Sequence, residues 1–277
     1  MRKVFSPRTL DELWPLLESE PGAAIFSGGT DLFVKMRAGS ADPGVLIGLE
    51  RIGELRGIRR EGDGVRIGAC TSLKSVLEDP LVRSGLKVLE TALKALGSPQ
   101  IRNMGTIGGN VCTASPAGDT LPPLYVLRAE VEIRSASSTR RAPIGEFITG
   151  PGKTLLGRGE IIAGIRVPAP QGLNLHHFEK VGQRKALAIA VASLAALMRI
   201  SPEGVIEEAR LAWGSVAPTV VVSVGAEEFL KGKTLTRPVL EEAARIAEAS
   251  FFPIDDIRAT AGYRKAVAGN LLVRLCK

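Results

Sequence analysis

Two short stretches combine glycines with hydroxyl and amide side chains, which is the chemistry needed to bind a phosphate. The first is SGGTDL, residues 27–32, and the second is GTIGGN, residues 105–110. Glycine lets backbone N–H groups approach an anion closely, and Thr30, Thr106 and Asn110 can add side-chain donors. Neither stretch has the spacing of a Rossmann dinucleotide site or of a P-loop. Two such stretches would suit a pyrophosphate, which has two phosphate groups.

The alternative is that both stretches are tight turns without a ligand, and composition does not decide between the two interpretations. Asp31 and Asp119 can accept hydrogen bonds from the hydroxyls of a sugar. Lys180 precedes an apolar run, so it is either a surface lysine at the start of a strand or a cation beside a cofactor ring. Cys112 has no charged partner nearby in the sequence, and we expect it to be a small packing residue rather than a nucleophile.

The remaining residues offer little acid–base or metal chemistry. The three cysteines, Cys70, Cys112 and Cys276, are odd in number and far apart, which argues against a disulfide framework. They are also too few for a four-cysteine iron–sulfur or zinc site. His176 and His177 are adjacent and would point to opposite sides of an extended chain. We therefore predict no catalytic residue and no metal site in this chain.

Composition limits the class of protein further. The chain has 277 residues, a net charge of +7 and 45% hydrophobic residues. No run approaches the roughly 18 apolar residues of a membrane-spanning helix, and the start lacks the apolar core of a secretory signal. We expect a cytoplasmic protein without a membrane span. Because aromatic residues make up only 4% and basic residues are scattered, nucleic-acid binding is not expected. The positive charge is either a solvated face or a surface for an acidic partner.

Helix and strand signals alternate along the first 170 residues. The capping box TLDE, residues 9–12, predicts a helix through Glu18, and AAIF predicts a strand directly before SGGTDL. Apolar spacing predicts one helix over residues 80–97, ended by Gly97 and Pro99. The stretch that follows, which contains GTIGGN, is rich in glycine and polar residues and predicts a turn. These features indicate a mixed α and β fold.

The pattern of apolar and polar residues changes after PAPQG, residues 168–172. This segment is the best candidate for a domain boundary. Two apolar stretches, ALAIAVASLAALMRI and VIEEARLAWGSV, flank the turn signal SPEG and predict an antiparallel hairpin. The β-branched run TVVVSV favours a strand. Two helices are predicted to close the chain, over RPVLEEAARIAEAS and IRATAGYRKAVAGNLLVRLC.

Taken in order, these segments resemble the FAD-binding medium subunit of the molybdenum hydroxylases, the family of xanthine dehydrogenase and aerobic carbon monoxide dehydrogenase. One glycine-rich stretch alone would be a weak signal, but eight ordered blocks over nearly the whole chain are specific. The blocks are AIFSGGTDLFVKMRAG, IGACTSLKSV, IRNMGTIGGNVCTASPAGDTLPPLYVL, GEIIAGIRVP, FEKVGQRKALAIA, ARLAWGSVAPT, FLKGKTL and IRATAGYRKAVAGNLL.

The resemblance implies an α+β fold with two domains. Residues 1–170 would form a FAD-binding domain of the vanillyl-alcohol-oxidase (PCMH) type, with subdomains at about residues 1–55 and 56–170. Residues 171–277 would form a C-terminal domain of the carbon monoxide dehydrogenase flavoprotein type, with an antiparallel sheet and helices.

The resemblance also implies which residues bind FAD. Residues 25–32 would wrap the pyrophosphate from one side, residues 106–110 would hold it from the other, and Asp119 would bind the ribityl or ribose region. Leu96 matches a position near the cofactor, and Lys180 matches a lysine near the isoalloxazine ring. The full implied set is Ile25, Phe26, Ser27, Gly28, Gly29, Thr30, Asp31, Leu32, Leu96, Thr106, Ile107, Gly108, Gly109, Asn110, Asp119, Ile161, Ile162 and Lys180, of which Ile161 and Ile162 match positions near the flavin.

The activity implied by the resemblance is that of an electron-transfer subunit. A small partner with [2Fe–2S] clusters would reduce the FAD, a large molybdopterin partner would oxidise the substrate, and NAD or a quinone would accept the electrons. The expected assembly is a dimer of heterotrimers. The chain lacks the cysteine-bearing insertion that holds an extra [4Fe–4S] cluster in relatives of the 4-hydroxybenzoyl-CoA reductase type. The alternatives are a self-sufficient FAD-dependent oxidoreductase of the same superfamily and a non-catalytic scaffold or nucleic-acid-binding module.

Overall fold

The computed structural model describes residues 2–276, and it begins with a small parallel sheet. Its elements are β1 (Lys3–Phe5), α1 (Leu10–Ser19), β2 (Ala24–Phe26), α2 (Leu32–Arg37) and β3 (Val45–Gly48). The strand order is β1-β3-β2, and both pairings are parallel. The predicted helix start is present, because the Thr9 hydroxyl accepts from the Glu12 N–H and caps the beginning of α1, whereas the Glu12 carboxylate accepts from the Arg8 N–H rather than from that of Thr9. The glycine-rich residues 27–31 form the turn between β2 and α2.

The second unit is a five-stranded antiparallel sheet covered by short helices. A 3₁₀ turn (Gly53–Leu55) leads into it. Its elements are β4 (Ile58–Glu61), β5 (Gly64–Gly68), α3 (Leu73–Glu78), α4 (Pro80–Gly85), α5 (Lys87–Ala95), α6 (Pro99–Met104), α7 (Ile107–Thr113), α8 (Leu121–Val126), β6 (Glu130–Arg134), β7 (Thr139–Pro143), α9 (Ile144–Phe147), β8 (Ile148–Gly150), β9 (Lys153–Thr154) and β10 (Ile161–Val167). The strand order is β4-β5-β10-β6-β7, while β8 and β9 pair separately.

Two sequence predictions are wrong in this unit. The single helix expected over residues 80–97 is two helices, because Gly85 is a poor helix former and Leu86 leaves helical geometry at φ −124°. Leu86 instead buries its side chain, which is 1% exposed. The stretch expected to be a turn contains α6 and α7, and Thr106 caps α7. The paired glycines conceal this helix because they lower its intrinsic propensity.

The C-terminal unit is a four-stranded antiparallel sheet packed against helices. Its elements are β11 (Leu175–Gly182), β12 (Ala190–Ile200), β13 (Ile206–Gly214), β14 (Val221–Val222), α10 (Val224–Leu230), α11 (Arg237–Glu248), α12 (Ala261–Val273) and a 3₁₀ turn (Arg274–Cys276). The order β11-β12-β13-β14 confirms the predicted hairpin of β12 and β13. In TVVVSV only Val221 and Val222 are in a strand, because the Ser223 hydroxyl accepts from the Ala226 N–H and begins α10.

Strand β12 joins the core of the C-terminal unit to the core of the second unit. Ala195 and Leu197 belong to the core under the five-stranded sheet, whereas Leu194, Ala196 and Met198 belong to the core beneath α11 and α12. This division follows from the alternation of side chains along a strand. Because both faces of β12 are buried, the sheet of the C-terminal unit packs firmly against helices α5 and α8 of the second unit. No helix within residues 2–276 has the length and apolar character needed to cross a membrane.

Candidate functional site

A cleft of about 560 Å³ opens between the two glycine-rich stretches, and we call it the main cleft. Its first wall is residues 25–32, from β2 to the start of α2. Its second wall comes from the start of α7 and from residues 115–119, which follow that helix. A third wall is residues 187–189, from the connection between β11 and β12. The main cleft is therefore lined by segments from all three units of the chain.

Glycine at position 28 lets the first two walls touch. A Cβ atom on Gly28 would lie 1.8 Å from the Met104 carbonyl oxygen, so only a residue without a side chain fits against the end of α6. The next residue, Gly29, has φ +68°, a region that residues with side chains rarely adopt. The turn after β2 therefore packs by backbone contact on the segment that leads into α7.

The turn after β2 also carries unpaired hydrogen-bond donors. In the described part of the chain, no acceptor is found for the backbone N–H groups of residues 28–31. The Ser27 hydroxyl oxygen is buried and likewise has no partner. Residues 28–30 are half-buried and Asp31 is exposed on the main cleft, so their N–H groups are free to donate to a polar ligand there. An anion with several oxygens, such as a pyrophosphate, fits this set of donors.

The start of α7 is different, because its backbone donors are already used. The N–H of Ile107 donates to the Thr71 carbonyl, that of Gly108 to the Ala69 carbonyl, and that of Asn110 to the Thr106 carbonyl. The Gly109 N–H donates to the Thr106 hydroxyl at 3.2 Å. The N–H groups of residues 107–110 are therefore not available to a ligand.

The two glycines of α7 have different packing environments. A Cβ atom on Gly108 would lie 2.6 Å from the Ala69 Cβ, so Gly108 lets the helix pack directly on the residue after β5. A Cβ atom on Gly109 would meet only the Thr106 hydroxyl, at 2.9 Å, and would otherwise point into open space. Gly109 lines the main cleft, and its missing side chain leaves room there for a ligand.

Asp119 and Lys180 form an ion pair beside the main cleft. Lys180 of β11 donates to Asp119 Oδ2 at 2.6 Å and to the Ala188 carbonyl at 3.1 Å. The side chains are 10% and 9% exposed for Lys180 and Asp119. Burial raises the pKa of Asp119, and the charge of Lys180 opposes that rise. Asp119 Oδ1 is buried without a partner, so it can accept a hydrogen bond from a ligand hydroxyl.

Other polar residues of the main cleft already have partners within the protein. Asp31 forms an ion pair with Lys35 at 2.7 Å, one helical turn along α2. The Asn110 amide oxygen accepts from the Thr120 hydroxyl at 2.5 Å. These contacts orient the side chains, and they reduce what Asp31 and Asn110 can offer to a ligand. Within residues 2–276, no group of three or more His, Cys, Asp or Glu side chains is placed to hold a metal ion.

A smaller cavity of about 120 Å³ adjoins the main cleft and shares part of its lining. Ile161 and Ile162, at the start of β10, form one side of it. Cys112 lines both spaces and is exposed, so the expectation that it is a packing residue is wrong. It lies three residues after Gly109 and therefore on the same face of α7. Solvent reaches Cys112 through the cleft, but the protein packed around the sulfur partly desolvates it and raises the pKa of the thiol, which disfavours the reactive thiolate.

Most of the residues implied by the family resemblance line these two spaces. On the main cleft are Ile25, Phe26, Ser27, Gly28, Gly29, Thr30, Asp31, Leu32, Leu96, Thr106, Gly109, Asn110 and Asp119. On the smaller cavity are Gly108, Ile161 and Ile162.

Two of the implied residues do not line either space. Ile107 is 0% exposed in the core, because its side chain anchors α7 on the sheet. Lys180 lies behind Asp119. Leu187, Ala188 and Ile189 also line the main cleft, although the sequence does not predict this, since apolar residues in a connection carry no chemical signal. Their nearness to Lys180 in the sequence is the one feature that points to them.

Family models and individual relatives assign this chain to the same protein family. The model for the FAD binding domain in molybdopterin dehydrogenase matches residues 1–170, and the model for the CO dehydrogenase flavoprotein C-terminal domain matches residues 177–277. The carbon monoxide dehydrogenase medium chain of Hydrogenophaga pseudoflava is 35% identical over 98% of this chain and 94% of its own length. The nicotinate dehydrogenase FAD-subunit of Eubacterium barkeri is 32% identical over 99% and 94%.

A solved structure supports the same assignment. The carbon monoxide dehydrogenase from Hydrogenophaga pseudoflava that lacks the Mo-pyranopterin moiety of its molybdenum cofactor matches with a TM-score of 0.93 and 34% identity. The match covers 99% of this chain and 95% of that one, and it confirms the α+β fold class. The chain therefore belongs to the FAD-binding medium subunits of the molybdenum hydroxylases, a family of oxidoreductases.

Proposed function

We propose that this chain binds FAD in the main cleft and the adjoining cavity, using the residues implied by the resemblance, and passes electrons through it. The observation that carries the assignment of the site is the set of unpaired N–H groups at residues 28–31, which faces the open space left by Gly109. The pyrophosphate would bind to these N–H groups. Asp119 Oδ1 would accept a hydrogen bond from a ribityl or ribose hydroxyl, and Ile161 and Ile162 would contact the flavin.

The protein contributes binding and orientation, and FAD supplies the redox chemistry by accepting electrons singly and releasing them as a pair. The residues around the cleft fit this division, because the carboxylate and the lysine beside it are paired with each other rather than free for acid–base work. Ile25, Leu96 and Ile162 give the site apolar walls that exclude water from the bound ring.

The electrons would come from a partner, and we propose the assembly that the relatives suggest. A small subunit with [2Fe–2S] clusters would reduce the FAD, a large subunit would hold molybdopterin, and the acceptor would be an external one such as NAD or a quinone. The complex would be a dimer of heterotrimers. We also propose the division into residues 1–170, with subdomains at about 1–55 and 56–170, and residues 171–277. The cytoplasmic location expected from the sequence stays a prediction.

The proposal is tested by adding FAD to the purified full chain and by purifying the chain together with the products of its neighbouring genes. We expect one FAD per chain, with the visible absorption of a bound flavin. We also expect co-purification with an iron–sulfur subunit and a molybdopterin subunit. A chain that stays colourless after FAD is added would refute the binding site. Turnover of a small substrate by the isolated, flavinated chain would instead favour the self-sufficient oxidoreductase.

A further inference from the structure

Lys180 is separated from the main cleft by the carboxylate with which it pairs. Its ammonium group donates to Asp119 Oδ2 at 2.6 Å and to the Ala188 carbonyl at 3.1 Å. Lys180 does not line the main cleft, whereas Asp119 and Ala188 both do. One buried cation therefore contacts two different walls of the cleft from behind.

The two walls belong to different parts of the chain. Asp119 follows α7 in the second unit, and Ala188 lies in the connection between β11 and β12. That connection places three consecutive residues, 187–189, on the cleft, and Leu187 adopts φ +56°, which is unfavourable for a residue with a side chain. A strained segment keeps its conformation only when other contacts fix it. The hydrogen bond from Lys180 is one such contact.

We propose that Lys180 is a positioning residue that acts on FAD through Asp119 and residues 187–189, without contacting the cofactor. Lys180 fixes the rotamer of Asp119, so that the unpaired Oδ1 is held for a ligand hydroxyl. The same ammonium fixes the third wall of the cleft at Ala188. This inference rests on the proposed FAD site, and it differs from a direct charge interaction between Lys180 and the flavin ring.

A double-mutant cycle separates an effect of Lys180 through Asp119 from a direct effect of Lys180 on the flavin. The four proteins are the wild type, Lys180→Met, Asp119→Asn and the double variant, each as the full chain. FAD dissociation constants and flavin reduction potentials are measured for all four. If Lys180 acts through Asp119, Lys180→Met weakens FAD binding about tenfold in the wild-type background and less than about threefold in the D119N background. Any shift of the potential caused by Lys180→Met likewise disappears in the D119N background.

The control is Lys185→Met, which removes the same kind of charge from the connection that Lys180 contacts. Lys185 is exposed, and no hydrogen bond or ion pair is found for its side chain within residues 2–276. We expect the K185M variant to bind FAD as the wild type does. If Lys180→Met changes affinity or potential by the same factor in both backgrounds, Lys180 does not act through Asp119 and the proposal is overturned. It is also overturned if Lys180→Met changes nothing.

Limited proteolysis tests the second contact without FAD. Lys180→Met should speed tryptic cleavage after Arg184 and Lys185, in the connection between β11 and β12, because the hydrogen bond to Ala188 is lost, whereas Asp119→Asn leaves that bond in place. Unchanged cleavage in the K180M variant would overturn the role at this wall. The outcomes also separate the two proposals: a wild-type chain that binds no FAD refutes the proposed function, while the cleavage rate still decides whether Lys180 fixes residues 187–189.

Discussion

The two glycine-rich stretches look alike in sequence, but they form opposite walls of the cleft by different means. In SGGTDL, residues 28–31 leave their N–H groups without acceptors. In GTIGGN, the N–H groups at 107–110 are all bonded within the protein, and the contribution of the stretch is the space beside Gly109. Glycine therefore exposes donors in the first stretch and makes room for a ligand in the second. Composition does not distinguish the two.

The stretches also depend on each other. Gly28 packs against the Met104 carbonyl, two residues before the Thr106 cap, so the exposed donors and the open space are fixed relative to one another. Changes in the first stretch should therefore affect donors or wall contact, and changes in the second should affect space or the helix cap.

Gly28→Ala should have the largest effect, because its Cβ would meet a backbone oxygen that cannot rotate away. We expect the free energy of unfolding to fall by about 3 kcal/mol, at the upper end of overpacking costs, and FAD binding to be lost as the walls separate. Denaturant unfolding and FAD titration measure the two effects. The control is Gly22→Ala, where the new Cβ has no atom within 4 Å. A G28A variant as stable as the wild type would show that the walls need no backbone contact.

Gly109→Val should act mainly on the ligand. Its side chain would occupy the cleft, and we expect FAD affinity to fall about a hundredfold, equivalent to about 2.8 kcal/mol. A smaller loss of stability is expected, since the Cβ also crowds the Thr106 hydroxyl. Gly262→Val is the matched control, because Gly262 lies in the first turn of α12 with open space around its Cβ. Full FAD retention by the G109V variant would place the cofactor elsewhere.

Ser27→Ala should separate binding from stability. The Ser27 oxygen is buried and unpartnered, so removing it takes away no protein hydrogen bond. The free energy of unfolding should stay unchanged or rise, because a buried hydroxyl without a partner destabilises the fold. FAD affinity should fall about tenfold if that oxygen donates to the pyrophosphate. Isothermal titration of FAD beside thermal unfolding measures both. Loss of stability with unchanged affinity would mean that the hydroxyl has a structural partner instead.

The sequence predicts local features of the fold better than it predicts which distant residues meet in the site. The cap at Thr9 and the β12–β13 hairpin follow from short-range patterns, and both are present. The two glycine-rich stretches were recognisable as a pair, although α7 was missed because paired glycines oppose a helix. The pairing of Lys180 with Asp119 joins residues 61 positions apart, and spacing carries no information about such a contact. Only the family resemblance indicated that both lie near one cofactor.

Thr106→Ala should have the smallest effect, and it completes the comparison with Ser27. The Thr106 hydroxyl accepts from the Gly109 N–H, so its loss removes a helix cap and should lower the free energy of unfolding by about 1 kcal/mol. Thr106→Ser keeps the cap and should retain most of that stability. Because the hydroxyl acts on the helix and not on the ligand, FAD affinity should change less than it does in Ser27→Ala. If Thr106→Ala weakens FAD more and leaves unfolding unchanged, the two stretches bind the pyrophosphate in the same way, and the division between donors and space fails.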